Sequence, residues 1–139
     1  MREITAMQIT ETVKRLCIEA NCHLPQDMKT CIESSHSAET WPQAREILDR
    51  IVENYQIAER ENRPICQDTG LACVFISVGQ DVHIDGNLTE AVNEGVRQGY
   101  KEGYLRKSVV RDPIDRVNTG DNTPAMIYYD IVPGDKIEI

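Results

Sequence analysis

Between Gly70 and Gly79 the chain carries Leu71-Ala72-Cys73-Val74-Phe75-Ile76-Ser77-Val78, a dense apolar run rich in β-branched residues. Glycines bounding a run of this length mark a buried strand. The run constrains the fold most because the chain before residue 62 has a different period. Ile9, Val13, Leu16, Cys17 and Ala20 stand at helical spacing and form one amphipathic stripe. Leu24-Pro25 breaks that stripe and starts a short second helix over residues 25–34, with a polar loop from Ser35 to Thr40. Thr40 and Gln43 have the spacing of a capping box, and Pro42 is tolerated in a first helical turn. Ile47, Leu48, Ile51, Val52 and Tyr55 then form the face of a third helix lasting to about Arg60.

Beyond the apolar run, Gly79-Gln80-Asp81 is expected to turn the chain into a second strand around Val82-His83-Ile84. Asn87 with Glu90 is suited to cap a helix through about Tyr100, with Leu88, Val92 and Val96 along one side. Gly95 and Gly99 suit close packing of that helix, although each costs about 1 kcal/mol of helix propensity. Residues 103–124 are polar and irregular, and Met126 to Val132 is another strand. After the turn at Pro133-Gly134-Asp135, Lys136 to Ile139 begins one more. The expected architecture is a single α+β domain over 1–139, helical through residue 61 and mixed over 62–139. Its N-terminal helices are expected to pack on a small, mostly antiparallel sheet. Domains rarely stop partway into an apolar strand, so the chain is expected to be an N-terminal fragment. A sheet edge left open there favours self-association, hence a homodimer or higher assembly.

The 139 residues suit one core, which low aromatic content (5%) makes mostly aliphatic. A formal net charge of -8 argues against general nucleic-acid binding, which needs a cationic surface. No run approaches the roughly 18 apolar residues of a membrane span, and Met1-Arg2-Glu3-Ile4-Thr5 lacks a signal peptide's apolar stretch. A cytoplasmic location with no membrane partner is the expectation. The five cysteines (Cys17, Cys22, Cys31, Cys66, Cys73) are an odd count and are expected to stay reduced.

Cys66-Gln67-Asp68-Thr69-Gly70 sets a thiol, an amide, a carboxylate and a hydroxyl side by side just before the apolar run. A soft metal ligand beside a proton carrier suggests Lewis-acid chemistry on a small polar substrate. The restrictive Pro64 and Gly70 should pin the backbone around Cys66. The bland alternative, a buried cysteine acting as a small hydrophobe, stays open on spacing alone. A nucleophilic thiol would need a base, and His23, His36 and His83 lie in no polar cluster that suggests one. Cys73, in the middle of the strand, reads as core. Cys17, Cys22, His23 and Cys31 do not match paired zinc knuckles, and Cys17 completes a helical stripe.

Asp68 is either a turn former or an acid/base group. Arg97 and Lys101 read as exposed helix charges. Arg106, beside Lys107-Ser108 in an irregular segment, is the best candidate to clamp a carboxylate, which a guanidinium binds in bidentate fashion. Asn118-Thr119-Gly120-Asp121-Asn122-Thr123-Pro124 reads as a tight loop held by Asx and Ser/Thr turns, or as a substrate contact.

Three blocks, Pro64 to Gly70, Leu105 to Val110 and Asn118 to Pro124, together resemble one family. It is the α-subunit, or N-terminal part, of the oxygen-sensitive iron–sulfur fumarases and L-tartrate dehydratases. Asn93-Glu94-Gly95-Val96, Gly99-Tyr100 and Val132-Pro133-Gly134-Asp135 agree in order and spacing. The likeness runs from the third helix to the C-terminus and is weaker over the first 40 residues.

The resemblance implies a [4Fe-4S] cluster held by three cysteines, with one iron open to the substrate's hydroxyl and carboxylate. It implies that Cys66 is one cluster ligand and that Gln67 and Arg106 hold substrate carboxylates. Asp68 would contact the substrate and take part in proton transfer. The family's other two cluster cysteines lie downstream of residue 139, and further catalytic groups belong to a β-subunit or C-terminal part. The expectation is therefore a fragment with an absent or incomplete cluster, inactive alone. The complete enzyme would dehydrate a small 2-hydroxy dicarboxylate, malate to fumarate, with L-tartrate as the alternative substrate. A non-catalytic assembly module is the reading from a different class.

Overall fold

Parallel ladders dominate the strand pairing, and this decides which loops come together. The computed structural model describes residues 1–139. It contains two compact bodies, Met1–Ile18 with Asp68–Ile139, and Glu19–Gln67.

The first body begins with β1 (Arg2–Thr5), followed by α1 (Ala6–Cys22), which belongs to this body as far as Ile18. Thr5 and Gln8 make a reciprocal capping box at the start of α1. The Gln8 Oε1 accepts from the Thr5 N–H at 2.9 Å, and the Thr5 Oγ1 accepts from the Gln8 N–H at 3.2 Å. Next come β2 (Cys73–Gly79), β3 (Val82–Asp85), α4 (Leu88–Glu102), β4 (Met126–Val132) and β5 (Ile137–Glu138). β1 pairs with β3 in parallel, from Arg2↔Val82 to Thr5↔Asp85. A second sheet runs β4-β2-β5. Its main ladder is parallel from Cys73↔Met126 to Gly79↔Val132, and only the short β2–β5 pairing is antiparallel.

The α+β class holds, but the sheet is mostly parallel where an antiparallel one was expected. The turn after β2 does form, yet it does not make a hairpin. Gly79, Gln80 and Asp81 donate their N–H groups to Lys136, Val132 and Gly134, at 2.7, 2.9 and 2.9 Å. The turn is thus consumed by the β4–β5 connection, and β3 is left to pair with β1. A Cβ at Gly79 would lie 2.3 Å from the Gly134 carbonyl oxygen, so only glycine fits that approach.

One face of β2 is covered, by residues of α1 and α4. Val74 and Ile76 join Ile4, Ile9, Val13, Val92, Val96 and Tyr100 in the core. Strand alternation turns Cys73 and Phe75 to the opposite, exposed face, so Cys73 is not the core residue expected. The expected buried strand is covered on one face only, and a stacked aromatic pair lies on its open face. Phe75 and Tyr128 have ring centroids 4.9 Å apart, and their positions are register partners. α4 starts as expected, with the Asn87 Oδ1 accepting from the Glu90 N–H at 3.1 Å.

The second body contains α2 (Gln26–Ala38) and α3 (Pro42–Glu61), which pair with each other. α2 continues four residues past its expected end at residue 34. Ser37 donates its hydroxyl to the Glu33 carbonyl, which lets a polar residue remain in a helix. The expected Thr40 cap is absent. Glu39 takes that work, its Oε1 accepting from the N–H groups of Thr40 and Trp41, both at 2.8 Å. Lys29 pairs with Glu59 at 2.7 Å, and Tyr55 donates to Glu33 at 2.9 Å. No helix is long and apolar enough to cross a membrane.

Candidate functional site

The approach to Cys66 is held on both sides of the peptide. After α3 ends at Asn62, whose left-handed φ of 50° closes the helix, Ile65 donates its N–H to Asn21 and accepts from Asn54, both at 2.9 Å. This pins the chain directly ahead of Cys66, as its place after Pro64 suggests. Cys66 and Gln67 are exposed, within the second body. The thiol is therefore not the buried hydrophobe of the bland reading.

In the first body, Asp68 is exposed and its Oδ1 accepts from the Gly70 N–H at 3.2 Å. Gly70 has φ +59°, so the turn ahead of β2 uses a conformation that a side chain disfavours. Thr69 between them clips a distant segment. Its Oγ1 accepts from the Arg106 N–H at 2.8 Å and lies 3.2 Å from the Arg106 carbonyl oxygen, to which it donates. Tyr100, at the end of α4, donates its hydroxyl to the Thr69 carbonyl at 2.9 Å. Burial, with lesser influence from Cys17, pushes that phenol up to about 12, so it remains a donor at any physiological pH.

Asn122 joins the third block to the other two. It is fully buried at 0% exposure. Its Oδ1 accepts from the N–H groups of Ser108 and Val109, at 2.6 and 3.0 Å, and its Nδ2 donates to the Gly70 carbonyl at 3.1 Å. Around it the loop is built by the expected Asx and Ser/Thr turns. Asn118 accepts from the Gly120 N–H at 2.7 Å, and Asp121 from the Thr123 hydroxyl and N–H, at 2.7 and 3.0 Å. Asn118 also donates to the Lys107 carbonyl at 2.9 Å.

α4 fixes this loop from one side. The Asn93 Oδ1 accepts from the Ala125 N–H at 2.9 Å, and the Arg97 Nε donates to Asp121 at 3.0 Å. Arg97 also pairs with Glu94. It is thus no simple exposed helix charge, because it ties α4 to the loop. Partial burial pushes the Asp121 carboxyl up, but the two Thr123 bonds and the Arg97 guanidinium outweigh it and hold the group at about 2.

Arg106 and Lys107 are exposed and make no ion pair, so both cations are available to an anion. The Ser108 Oγ is buried and has no hydrogen-bond partner. The structure therefore brings the backbones of the Asp68 and Arg106 segments together through Thr69 and Asn122. It leaves the charged ends of both residues facing solvent. An exposed guanidinium can hold an anion, and an exposed carboxylate can exchange a proton.

Sequence reasoning missed Thr69, Tyr100 and Asn122 as the residues that knit the blocks. A signal was available for Asn122, since asparagine is one of the few residues that readily takes a positive φ, here +65°. No group of three His, Cys, Asp or Glu side chains converges on a point that could hold a metal ion. Cys66 is an exposed thiol, a soft donor that by itself does not make a metal site.

A family profile described as Fumarate hydratase (Fumerase) matches residues 10–139. The "Putative L(+)-tartrate dehydratase subunit alpha" of Methanocaldococcus jannaschii is 34% identical, over 96% of this chain and 49% of its own length. The L(+)-tartrate dehydratase subunit alpha of Escherichia coli (strain UTI89 / UPEC) is 32% identical over 95% of this chain and 45% of its own. That of Shigella sonnei is 31% identical over the same shares. The chain spans about half the length of these curated relatives. All three interlocked blocks fall inside the matched region, and a match from residue 10 to Ile139 means that the chain belongs to the fumarate hydratase (Fumerase) family of hydro-lyases.

Proposed function

We propose that this chain is the N-terminal portion of an iron–sulfur hydro-lyase α-subunit that reversibly removes water from a 2-hydroxy dicarboxylate, malate giving fumarate. The observation that carries this reading is the clip between Thr69 and Arg106. It sets an exposed cation beside the segment bearing an exposed carboxylate, Asp68. Arg106 and Gln67 bind the substrate's carboxylates, and Asp68 contacts the substrate and moves a proton. Cys66 supplies one thiolate to a [4Fe-4S] cluster whose other ligands lie outside this chain. The cluster, when bound, supplies a Lewis-acidic iron that stabilises the departing hydroxide. The partners in this reading are the dicarboxylate, a β-subunit or C-terminal part of the same enzyme, and further copies of the chain, all in the cytoplasm. The chain alone is inactive.

A second reading is favoured by the relatives, whose names specify L(+)-tartrate dehydratase. Anaerobic assembly of the complete enzyme with iron and sulfide, followed by turnover of L-malate and L-tartrate, separates the two. Cys66→Ser in that assembly is expected to lose bound iron and to lower activity by at least about 100-fold, because Lewis-acid assistance supplies several kcal/mol. Unchanged iron content and activity would overturn the proposal and favour a non-catalytic assembly module.

A further inference from the structure

Residues 103–125 contain no helix and no named strand, so no ladder fixes where Arg106 sits. Backbone bonds hold its neighbours, from the Leu105 N–H to Tyr100 and from the Thr119 N–H to Val109, but the Arg106 peptide groups themselves are bonded by a side chain. Thr69 takes both the N–H and the carbonyl of Arg106. Two residues on, the Ser108 and Val109 N–H groups both end on the Asn122 Oδ1. The other end of that amide donates to Gly70, two residues from Asp68. Three bonds of the buried Asn122 side chain thus go to the backbones of the two segments carrying Asp68 and Arg106, and the side chain also interacts with the Tyr100 hydroxyl.

We propose that Asn122 and Thr69 are positioning residues that set the separation between Asp68 and Arg106, and so match the site to a dicarboxylate. This inference rests on the hydro-lyase reading. Both act through the backbone groups they bond. Their effect is on how well a prearranged guanidinium meets a carboxylate, and this appears in substrate binding before it appears in chemistry. Asn122 has a positive φ of +65°, and its amide lies between the two segments.

The test uses three variants of the complete enzyme. Asn122→Gly keeps access to the positive φ and removes the amide. Thr69→Val removes the hydroxyl at nearly constant volume, and Thr69→Ser restores it. Asn122→Gly and Thr69→Val are expected to raise KM for the turned-over acid, L-malate or L-tartrate, about tenfold, with kcat within about threefold. Thr69→Ser should stay close to the unsubstituted enzyme, which a purely steric role for Thr69 would not predict. Amide exchange in a peptide covering residues 105–110 should speed up at least about tenfold in Asn122→Gly.

Unchanged KM, or a fall in thermal midpoint alone, overturns the inference while leaving the hydro-lyase reading intact. Unsubstituted enzyme that turns over neither acid overturns that reading and this inference with it. Should Asn122→Gly fail to fold, the Val and Ser variants at Thr69 decide the matter by themselves.

Discussion

Gly95→Ala poses helix propensity against packing at one atom. In an exposed helix the change stabilises by about 1 kcal/mol. In α4 the new methyl would lie 2.7 Å from the Thr10 carbonyl oxygen and 2.7 Å from the Val13 Cβ, with the Val13 Cγ1 at 3.0 Å. Carbon pairs rest comfortably at about 3.5–4.0 Å, so the shortfall is roughly 1 Å. Neither obstacle yields easily. One is the backbone of α1, and the other is a side chain 1% exposed in the core. Thr10 also donates its hydroxyl to the Ala91 carbonyl at 2.9 Å, which resists separation of the helices. Overpacking costs about 1–3 kcal/mol, and two rigid contacts put this case near 3. The net loss is about 2 kcal/mol, or about 6 °C in thermal midpoint for a chain of this size. A urea titration should show a lower midpoint at constant slope, with faster amide exchange at Val92 and Val96. Gly99→Ala is the control, since its methyl would meet the Cys17 Cβ at 2.9 Å and the Lys14 carbonyl at 3.0 Å, and it should lose less. A Gly95→Ala chain as stable as the parent would refute the argument, because propensity would then have won.

Two other outcomes test the same body. Ile76→Ala, at a position 2% exposed, should cost about 2–5 kcal/mol, whereas Phe75→Ala on the open face of β2 should cost about 1 for its stacking on Tyr128. Equal losses in paired urea titrations would show that the outer face is buried in the working protein. Asp121 gives a pH signature. Its folded value of about 2 lies below the ordinary carboxyl, so its stabilisation is present above about pH 4 and is lost as pH falls towards 2. With its side chain 30% exposed, about 1–2 kcal/mol is at stake after allowance for solvent screening. Asp121→Asn should flatten that part of the stability profile, and an unchanged slope between pH 4 and 2 would contradict the assignment.

The sequence was most legible where a local rule and a tertiary demand coincide. The Met126–Val132 strand and the Asn87 cap with its Glu90 partner stand where pattern reading puts them, because each is settled within a few residues. The expected close packing at Gly95 and Gly99 also holds, since a helix tolerates glycine mainly where another backbone approaches. Cys73 and Arg97 were illegible for the opposite reason. Whether a strand residue faces in depends on which side helices cover, and whether a helix cation is free depends on a loop 24 residues away. The candidate site was legible as three blocks of polar residues. Its connections were not, since Tyr100, Thr69 and Asn122 bond to backbone groups 13 to 52 residues distant. No local pattern encodes a bond to a remote carbonyl.

The one wrong expectation about topology turns out to bear directly on the site. Had β2 and β4 run antiparallel, the segments leading into them would lie at opposite ends of seven-residue strands, roughly 20 Å apart. The parallel register Cys73↔Met126 instead sets both approaches at one end of the sheet, where the Met126 N–H donates to the Ala72 carbonyl at 2.9 Å. Parallel pairing requires a crossover, and here α4 supplies it. The end of that crossover delivers Tyr100 to the Thr69 carbonyl, and the following segment delivers Arg106 to the Thr69 hydroxyl. Asp68 to Gly70, Arg106 to Val109 and Asn118 to Thr123 are therefore neighbours because of strand direction. The fully buried Asn122 can bridge all three only in this arrangement. A Gly-bounded apolar strand and a polar loop ahead of a second strand are thus two parts of one device, and the parallel ladder between them is what makes it a site.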